Sequence, residues 1–188
     1  MKKLILSGMA LVMAGGMMAQ SNQLSFGLDL ALPMGDFGDA YTLGIGPAVG
    51  FELPVGDNLG ITAQLSYQIL MVDSDLSDFI KSASMMPIQV GLKYYFSEQQ
   101  AGLYGHAQVG VHSSSVTTED IDLGPFGKIE GTTNSSSNFS WAIGAGYQLE
   151  KLDIGLRYNS ISPDSDAPDG TSSSTYIGLR VGYILSLK

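Results

Sequence analysis

The chain has 188 residues, room for one domain, with 44% hydrophobic and only 14% charged residues, against about 25% charged in an ordinary soluble domain. Its net charge of −9 excludes a nucleic-acid partner, because phosphate binding needs a basic surface. With no cysteine there is no disulfide, no thiolate metal site and no cysteine nucleophile.

The N-terminus carries Lys2 and Lys3, then an apolar run from Leu4 to about Met18, then Ala19 before the polar Gln20, Ser21 and Asn22. A short basic region, an apolar core and a small residue ahead of polar sequence predict a secretory signal peptide over residues 1–19, leaving 20–188 as the mature domain. Met17 is large for its place before that cut, so cleavage after Gly16 stays open. The run is short for a membrane helix of ~20 residues. Loss of both lysines takes the net charge from −9 to −11.

From there the chain alternates with a period of two, eight times over, with no sustained helical period. Leu24, Phe26, Leu28, Leu30 and Leu32 oppose Ser25, Gly27, Asp29 and Ala31. Leu43 to Leu53 opposes a face of Gly44, Gly46, Ala48, Gly50 and Glu52, and Ile61 to Met71 opposes Thr62, Gln64, Ser66 and Gln68. Met86 to Phe96 opposes Gln89, Gly91, Lys93 and Tyr95, and Leu103 to Val111 opposes Tyr104, His106, Gln108 and His112. Phe139 to Leu149, Leu152 to Tyr158 and Ile177 to Leu187 complete the set, with Asp153, Arg157 and Arg180 on their polar faces. Each set shares one strand face. Segments of about ten residues match a tilted strand crossing a bilayer.

Connections supply an independent signal. Pro54–Asn58, Ser97–Gln100 and Glu150-Lys151 are short; Pro33–Tyr41, Asp73–Ser84, Ser113–Asn138 and Ser162–Ser174 are long. Short and long alternate throughout, as periplasmic turns and extracellular loops do in outer-membrane barrels, which puts both mature termini in the periplasm. The expected fold is therefore all-β: an eight-stranded antiparallel up-and-down transmembrane β-barrel behind a signal peptide.

A soluble lipocalin-like barrel also alternates, with its apolar face inward. Here the apolar face carries no charge within the strands, the polar face is dominated by Gly, Ser and Ala, and aromatics gather near strand ends. All three features turn the apolar face to lipid. Phe51, Tyr94, Phe96, Tyr147 and Tyr183 are the candidate periplasmic girdle; Trp141, Phe139 and Tyr158 lie toward the outer interface. Unpaired charges in so narrow a lumen are costly, so Asp29, Glu52, Lys93, Asp153, Arg157 and Arg180 are expected to form an ion-paired structural network. Arg157, Arg180 and Asp29 fall on adjoining strands once the first closes on the eighth; Glu52 and Lys93 are further candidate partners.

The strand pattern and loop alternation resemble the small OmpA-like and OmpX-like outer-membrane barrels. The run Met86-Pro87-Ile88-Gln89-Val90-Gly91-Leu92-Lys93-Tyr94-Tyr95-Phe96 is similar to a strand of the porin-like, PorT-type barrel domains, and the Ala19-Gln20 junction and Pro33–Phe37 fit the same group. The resemblance implies fold and location in the cell outer membrane, with outer-membrane lipid, lipopolysaccharide and the barrel-assembly machinery as partners; it implies no single activity. The end, Leu185-Ser186-Leu187-Lys188, departs from the terminal aromatic of many such barrels, and Tyr183 is its candidate replacement. The chain stops at the eighth segment, so the peptidoglycan-binding domain of OmpA-like proteins is not expected.

Chemistry is sparse. His112, Ser114 and a loop carboxylate are the nearest thing to a nucleophilic set, but no motif fixes their geometry. A hydrated lumen histidine beside a Ser-rich loop start is the simpler reading. Twelve of the 18 acidic residues fall in the long loops, and Asp164, Asp166 and Asp169 only loosely suggest a calcium loop. No catalytic residue, metal or cofactor is expected. The longest loop invites extension of strands five and six as a hairpin, whose edge can pair with a partner strand. The expectation is a monomeric barrel with a structural or surface-interaction role, its loops meeting an unidentified ligand. Its rivals are a narrow porin-like channel for small solutes and a lipid-modifying enzyme.

Overall fold

The alternating segments form antiparallel strands in a computed structural model that describes residues 21–97, 100–122, 128–163 and 172–187. The expected signal peptide and the Asp164–Asp169 carboxylates lie outside the described residues. Eight strands make the wall: β1 (Asn22–Met34), β2 (Tyr41–Pro54), β3 (Leu59–Ser66 continuing as Gln68–Val72), β4 (Ile80–Tyr95), β5 (Gly102–Thr118), β6 (Thr133–Gln148), β7 (Leu152–Ile161) and β8 (Ser174–Leu187). Neighbours in sequence pair in space, and β1 pairs with both β2 and β8. The seam runs from Asn22 opposite Leu187 to Met34 opposite Thr175. The barrel is closed, so each strand of the wall is paired on both sides and leaves no free edge in lipid.

The faces fall as the alternation predicts. Leu28, Val90, Ile143, Leu156 and Val181 are exposed on the outside, while Asp29, Gln89, His112 and Arg157 are buried inside. Along β6 the outward apolar positions run from Phe139 to Leu149. At ~3.4 Å per residue and a tilt near ~40° that is ~25 Å, the height of an outer-membrane apolar band.

Strand lengths depart from the expectation at the long-loop end. β4, β5 and β6 have 16, 17 and 16 residues and rise above their neighbours. The supposed loop Ser113–Asn138 is largely strand: β5 and β6 stay paired from Gly102 opposite Gln148 up to Thr117 opposite Thr133. Likewise Pro33–Tyr41 shrinks to a turn holding a one-turn helix, α1 (Asp36–Ala40), and part of Asp73–Ser84 joins β4. The β5–β6 extension is the hairpin that the length of that loop invited; polar residues hid the others, because above the bilayer neither face needs to be apolar.

β3 was expected to run unbroken from Ile61 to Met71, yet its ladder lapses at Tyr67. The register does not shift: Ser66 opposes Ala48 and Ile69 opposes Ile45, so Tyr67 sits opposite Pro47. On the other side Leu65 opposes Ile88 and Gln68 opposes Met85, which puts Ser66 opposite Pro87. Each proline lacks the N–H that the ladder needs. Tyr67 still donates its own N–H to the Pro47 carbonyl, at 3.0 Å.

The mouth at the long-loop end is apolar within. Tyr41, Leu70, Met85, Ile161 and Tyr176 pack together with Ala31 and Ala83, and Phe37 and Ala40 of α1 close over them. A charge at mid-height on the outside tests the lipid face. Leu156→Arg should lower the unfolding free energy in bilayers by about 2–4 kcal/mol, read by urea titration of a heat-modifiable gel shift. A cost near zero would put Leu156 out of the hydrocarbon.

Candidate functional site: the charged lumen

Inward residues of eight strands converge on a space only wide enough for side chains. Those that fill it form two polar levels beneath the apolar mouth. At mid-height, Asp29 on β1 is fully buried between two guanidinium groups. Arg157 Nη2 on β7 donates to Asp29 Oδ2 at 2.5 Å, and Arg180 Nη1 on β8 lies 3.5 Å from Oδ1. Gln64 Nε2 adds a donor to Oδ2 at 3.0 Å, and Arg180 Nη2 donates to Ser25 Oγ at 3.0 Å. Asp29 and Arg180 are direct register partners across the closing seam.

Nearer the short turns, Lys93 on β4 is the hub. Its Nζ lies 3.2 Å from Glu52 Oε2 and 3.6 Å from Asp153 Oδ1, and donates to Gln148 Oε1 at 2.6 Å. The ammonium also sits 3.9 Å from the Tyr104 ring centre and 5.0 Å from that of Tyr95, a desolvated cation–π arrangement. The Tyr95 hydroxyl reaches Glu52 Oε1 at 2.8 Å and Gln148 Oε1 at 2.7 Å, and Gln100 Nε2 donates to Glu52 Oε1 at 3.2 Å. Glycine makes the crossing possible. A Cβ at Gly146 would strike the Tyr104 hydroxyl, and one at Gly50 would sit 2.9 Å from Arg180 Nη2.

All six charged residues singled out in the sequence thus meet inside the barrel, as a triad and a second cluster. Asp153, which had no assigned partner, faces Lys93. The sequence reading placed Tyr95, Tyr104 and His106 on the inner face without giving them work. The tyrosines are packing and hydrogen-bonding members of the lower level; Gln23, Gln100 and Gln148 were missed as its connectors, and Gln64 as a partner of Asp29 in the triad. For Gln64, Gln148 and the tyrosines the signal was present, as uncharged amides and aromatics on a face otherwise made of Gly and Ser; Gln100, in a turn, gave none. A cavity of about 50 Å³ remains between the levels, bordered by His106, Gln108, Arg157 and Asp153, each with a side-chain polar atom lacking a hydrogen-bond partner. Mixed donors and acceptors around a space of that size suit a few ordered waters.

His112 does not join a nucleophilic set. Its Nε2 is 2.7 Å from the Tyr176 hydroxyl in the buried mouth, while Ser114 lies a further inward position up β5. Among the described residues no cluster of His, Asp or Glu has metal-binding form. Of the aromatic girdle, Tyr94, Phe96, Tyr147, Tyr183 and Trp141 stand out from the wall. Phe51 and Tyr158 are half-buried, Tyr158 with its ring 5.8 Å from Trp141.

Removing one partner of a buried pair leaves an uncompensated charge, at about 3–5 kcal/mol. Asp29→Leu should therefore destabilise by about that much in urea titrations followed by Trp141 fluorescence. Adding Arg157→Met and Arg180→Met should recover most of the loss. A triple variant no better than the single one would contradict the ion-pair account.

Comparison with known proteins agrees with this architecture. The N-terminal β-barrel domain of Pseudomonas aeruginosa OprF superposes with a TM-score of 0.56 at 12% identity, covering 88% of this chain and 98% of that one. Ail, the attachment invasion locus protein of Yersinia pestis, gives 0.60 at 12% identity, covering 88% and 99%. Neisserial surface protein A gives 0.55 at 16% identity, covering 88% and 97%. At such identities the likeness is one of fold. No curated protein matches the sequence. The family model described as the outer membrane protein beta-barrel domain matches residues 7–184, nearly the whole chain, and the protein belongs to that outer-membrane β-barrel family.

Proposed function

We infer that this barrel is a closed scaffold whose work is done at its long-loop end, by surface interaction rather than by conduction or catalysis. The observation that carries this reading is the filled lumen. The Lys93 cluster, the Asp29 triad and the apolar mouth each occupy the cross-section in turn. A solute path would need all three to part, and parting the lower two strands buried charges. The arrangement of short and long connections supports periplasmic termini and an outward-facing loop end. The exposed aromatics would anchor the barrel at the two interfaces, with outer-membrane lipid and lipopolysaccharide as its surroundings and the barrel-assembly machinery as its partner in biogenesis.

The β5–β6 hairpin is the natural contact element. It continues two membrane strands in register above the apolar belt, so up to Thr117 opposite Thr133 it presents its faces on an unbroken ladder. Charge narrows the partner. One solved form of Ail holds the heparin analogue sucrose octasulfate, but a polyanion is a poor match here. The loop end carries Asp36, Asp39, Asp73, Asp75, Asp78, Glu119 and Asp120 against few lysines. A neutral or basic partner fits better.

Purified protein in planar bilayers should show no steady conductance. Replacing Lys93, Tyr95 and Tyr104 together by alanine should leave the Asp29 triad as a barrier and give no channel either. Steady currents from the native protein would sink the closed-scaffold reading in favour of a narrow pore. Shortening the hairpin to join Ser113 to Ser137 by a two-residue turn should abolish surface binding while the heat-modifiable shift persists; retained binding would move the contact to another loop.

A further inference from the structure

Outside the lumen, the outer wall bears a groove of about 260 Å³ where the apolar belt gives way to the hairpin. Its floor is a single cross-strand row. Met86 opposes Ser113, and Ser113 opposes Ser137, with Tyr67 of β3 next to Met86 at the site where two prolines interrupt the ladder. The row above is Ser84, Ser115 and Ser135. Directly below lie Ile88, Val111 and Phe139, all exposed members of the lipid-facing belt.

We propose that this groove holds the saccharide headgroup of an outer-leaflet glycolipid whose acyl chains lie on the belt beneath it. Continuity with the belt selects a lipid: a molecule seated here meets Ile88, Val111 and Phe139 with its tails and the serine rows with its head. The chemistry of the rows selects a sugar. None of the lining residues is charged, so a phosphate gains no ion pair. The hydroxyls are paired across the strands, Ser113 with Ser137 at 2.8 Å and Ser135 with Ser115 at 3.2 Å. Every hydroxyl of these pairs carries acceptor lone pairs, and the Ser115 hydroxyl, which accepts from Ser135, has its own donor for a polyol. Tyr67, half exposed, offers an aromatic face and a hydroxyl to the same headgroup, the amphipathic role aromatics take at membrane interfaces.

The proposal rests on the outward orientation inferred above, but its test does not. Full-length protein in detergent is mixed with equal amounts of a diglucosamine-based glycolipid and phosphatidylethanolamine, and native mass spectrometry counts the lipids retained. The native protein should keep the glycolipid in preference. Ser113→Val with Ser137→Val should cut that preference about tenfold, the loss of one or two neutral hydrogen bonds. Tyr67→Ala should also reduce it. Thr42→Val, an exposed hydroxyl on β2, should leave it unchanged. The heat-modifiable shift verifies folding of every variant. Equal retention of both lipids by the native protein, or an undiminished preference in a folded Tyr67→Ala or double-valine variant, would overturn the proposal. Misorientation alone would show only in cell-surface labelling of the loops.

Discussion

Closure of β1 on β8 is the constraint from which the other features follow. In hydrocarbon every backbone N–H and C=O must find a partner within the protein, and thirteen register pairs from Asn22–Leu187 to Met34–Thr175 supply them at the seam. Closing with eight strands leaves a narrow interior. Side chains that point inward therefore meet one another instead of bulk water. Polar residues are tolerated there only in sets that satisfy each other, and large residues only where an opposite strand offers glycine.

The lumen meets both conditions with few parts. Three acids, Asp29, Glu52 and Asp153, balance three bases, Lys93, Arg157 and Arg180. The triad has one carboxylate for two guanidinium groups and the lower cluster two carboxylates for one ammonium, so each level carries an excess of opposite sign and the levels complement each other across the small polar cavity. Glutamines extend the network because an amide both donates and accepts: Gln148 receives Lys93 and donates to Gln23 and to the Gln100 carbonyl. Pairing Asp29 with Arg180 across the seam also opposes slippage there. A one-residue slip would turn each charge toward lipid.

The wall was legible in the sequence because lipid imposes a strict rule on it. Leu24 to Leu32 or Ile177 to Leu187 must alternate, and any lapse exposes a polar side chain to hydrocarbon. The six lumen charges were legible for the same reason, as exceptions on a face of small residues. What was hidden is whatever lipid does not police. The upper halves of β5 and β6 carry no apolar alternation, since strands in water need no apolar face, and only the length of that loop suggested the hairpin that the structure shows. The apolar mouth was missed because Met85 and Tyr176 sit on the inner face just beyond the alternating spans, and Leu70 at the end of one, where apolar side chains break the expected pattern. Pro47 and Pro87 fit the alternation by volume, and only the pairing of strands reveals that they flank the same point of β3.

That coincidence bears on how the rim at the long-loop end is built. Two missing donors at one level of β3 weaken the ladder where the wall changes character, with Tyr67 at the break and the tall β4–β5–β6 wall beside it. A polar hairpin above the belt buries little apolar surface, so its stability comes from its ladder and from hydroxyl pairs such as Thr117 with Thr133 at 3.0 Å. Its register, however, is inherited: Val111 opposite Phe139 and Val109 opposite Trp141 are fixed by the lipid face below. A slip in the hairpin would require a slip in the membrane. The bilayer thus sets the geometry of a projection that lies outside it. Apart from the hydroxyl pairs, the residues at its faces are available for recognition, because neither the register nor lumen packing depends on which polar side chains they are.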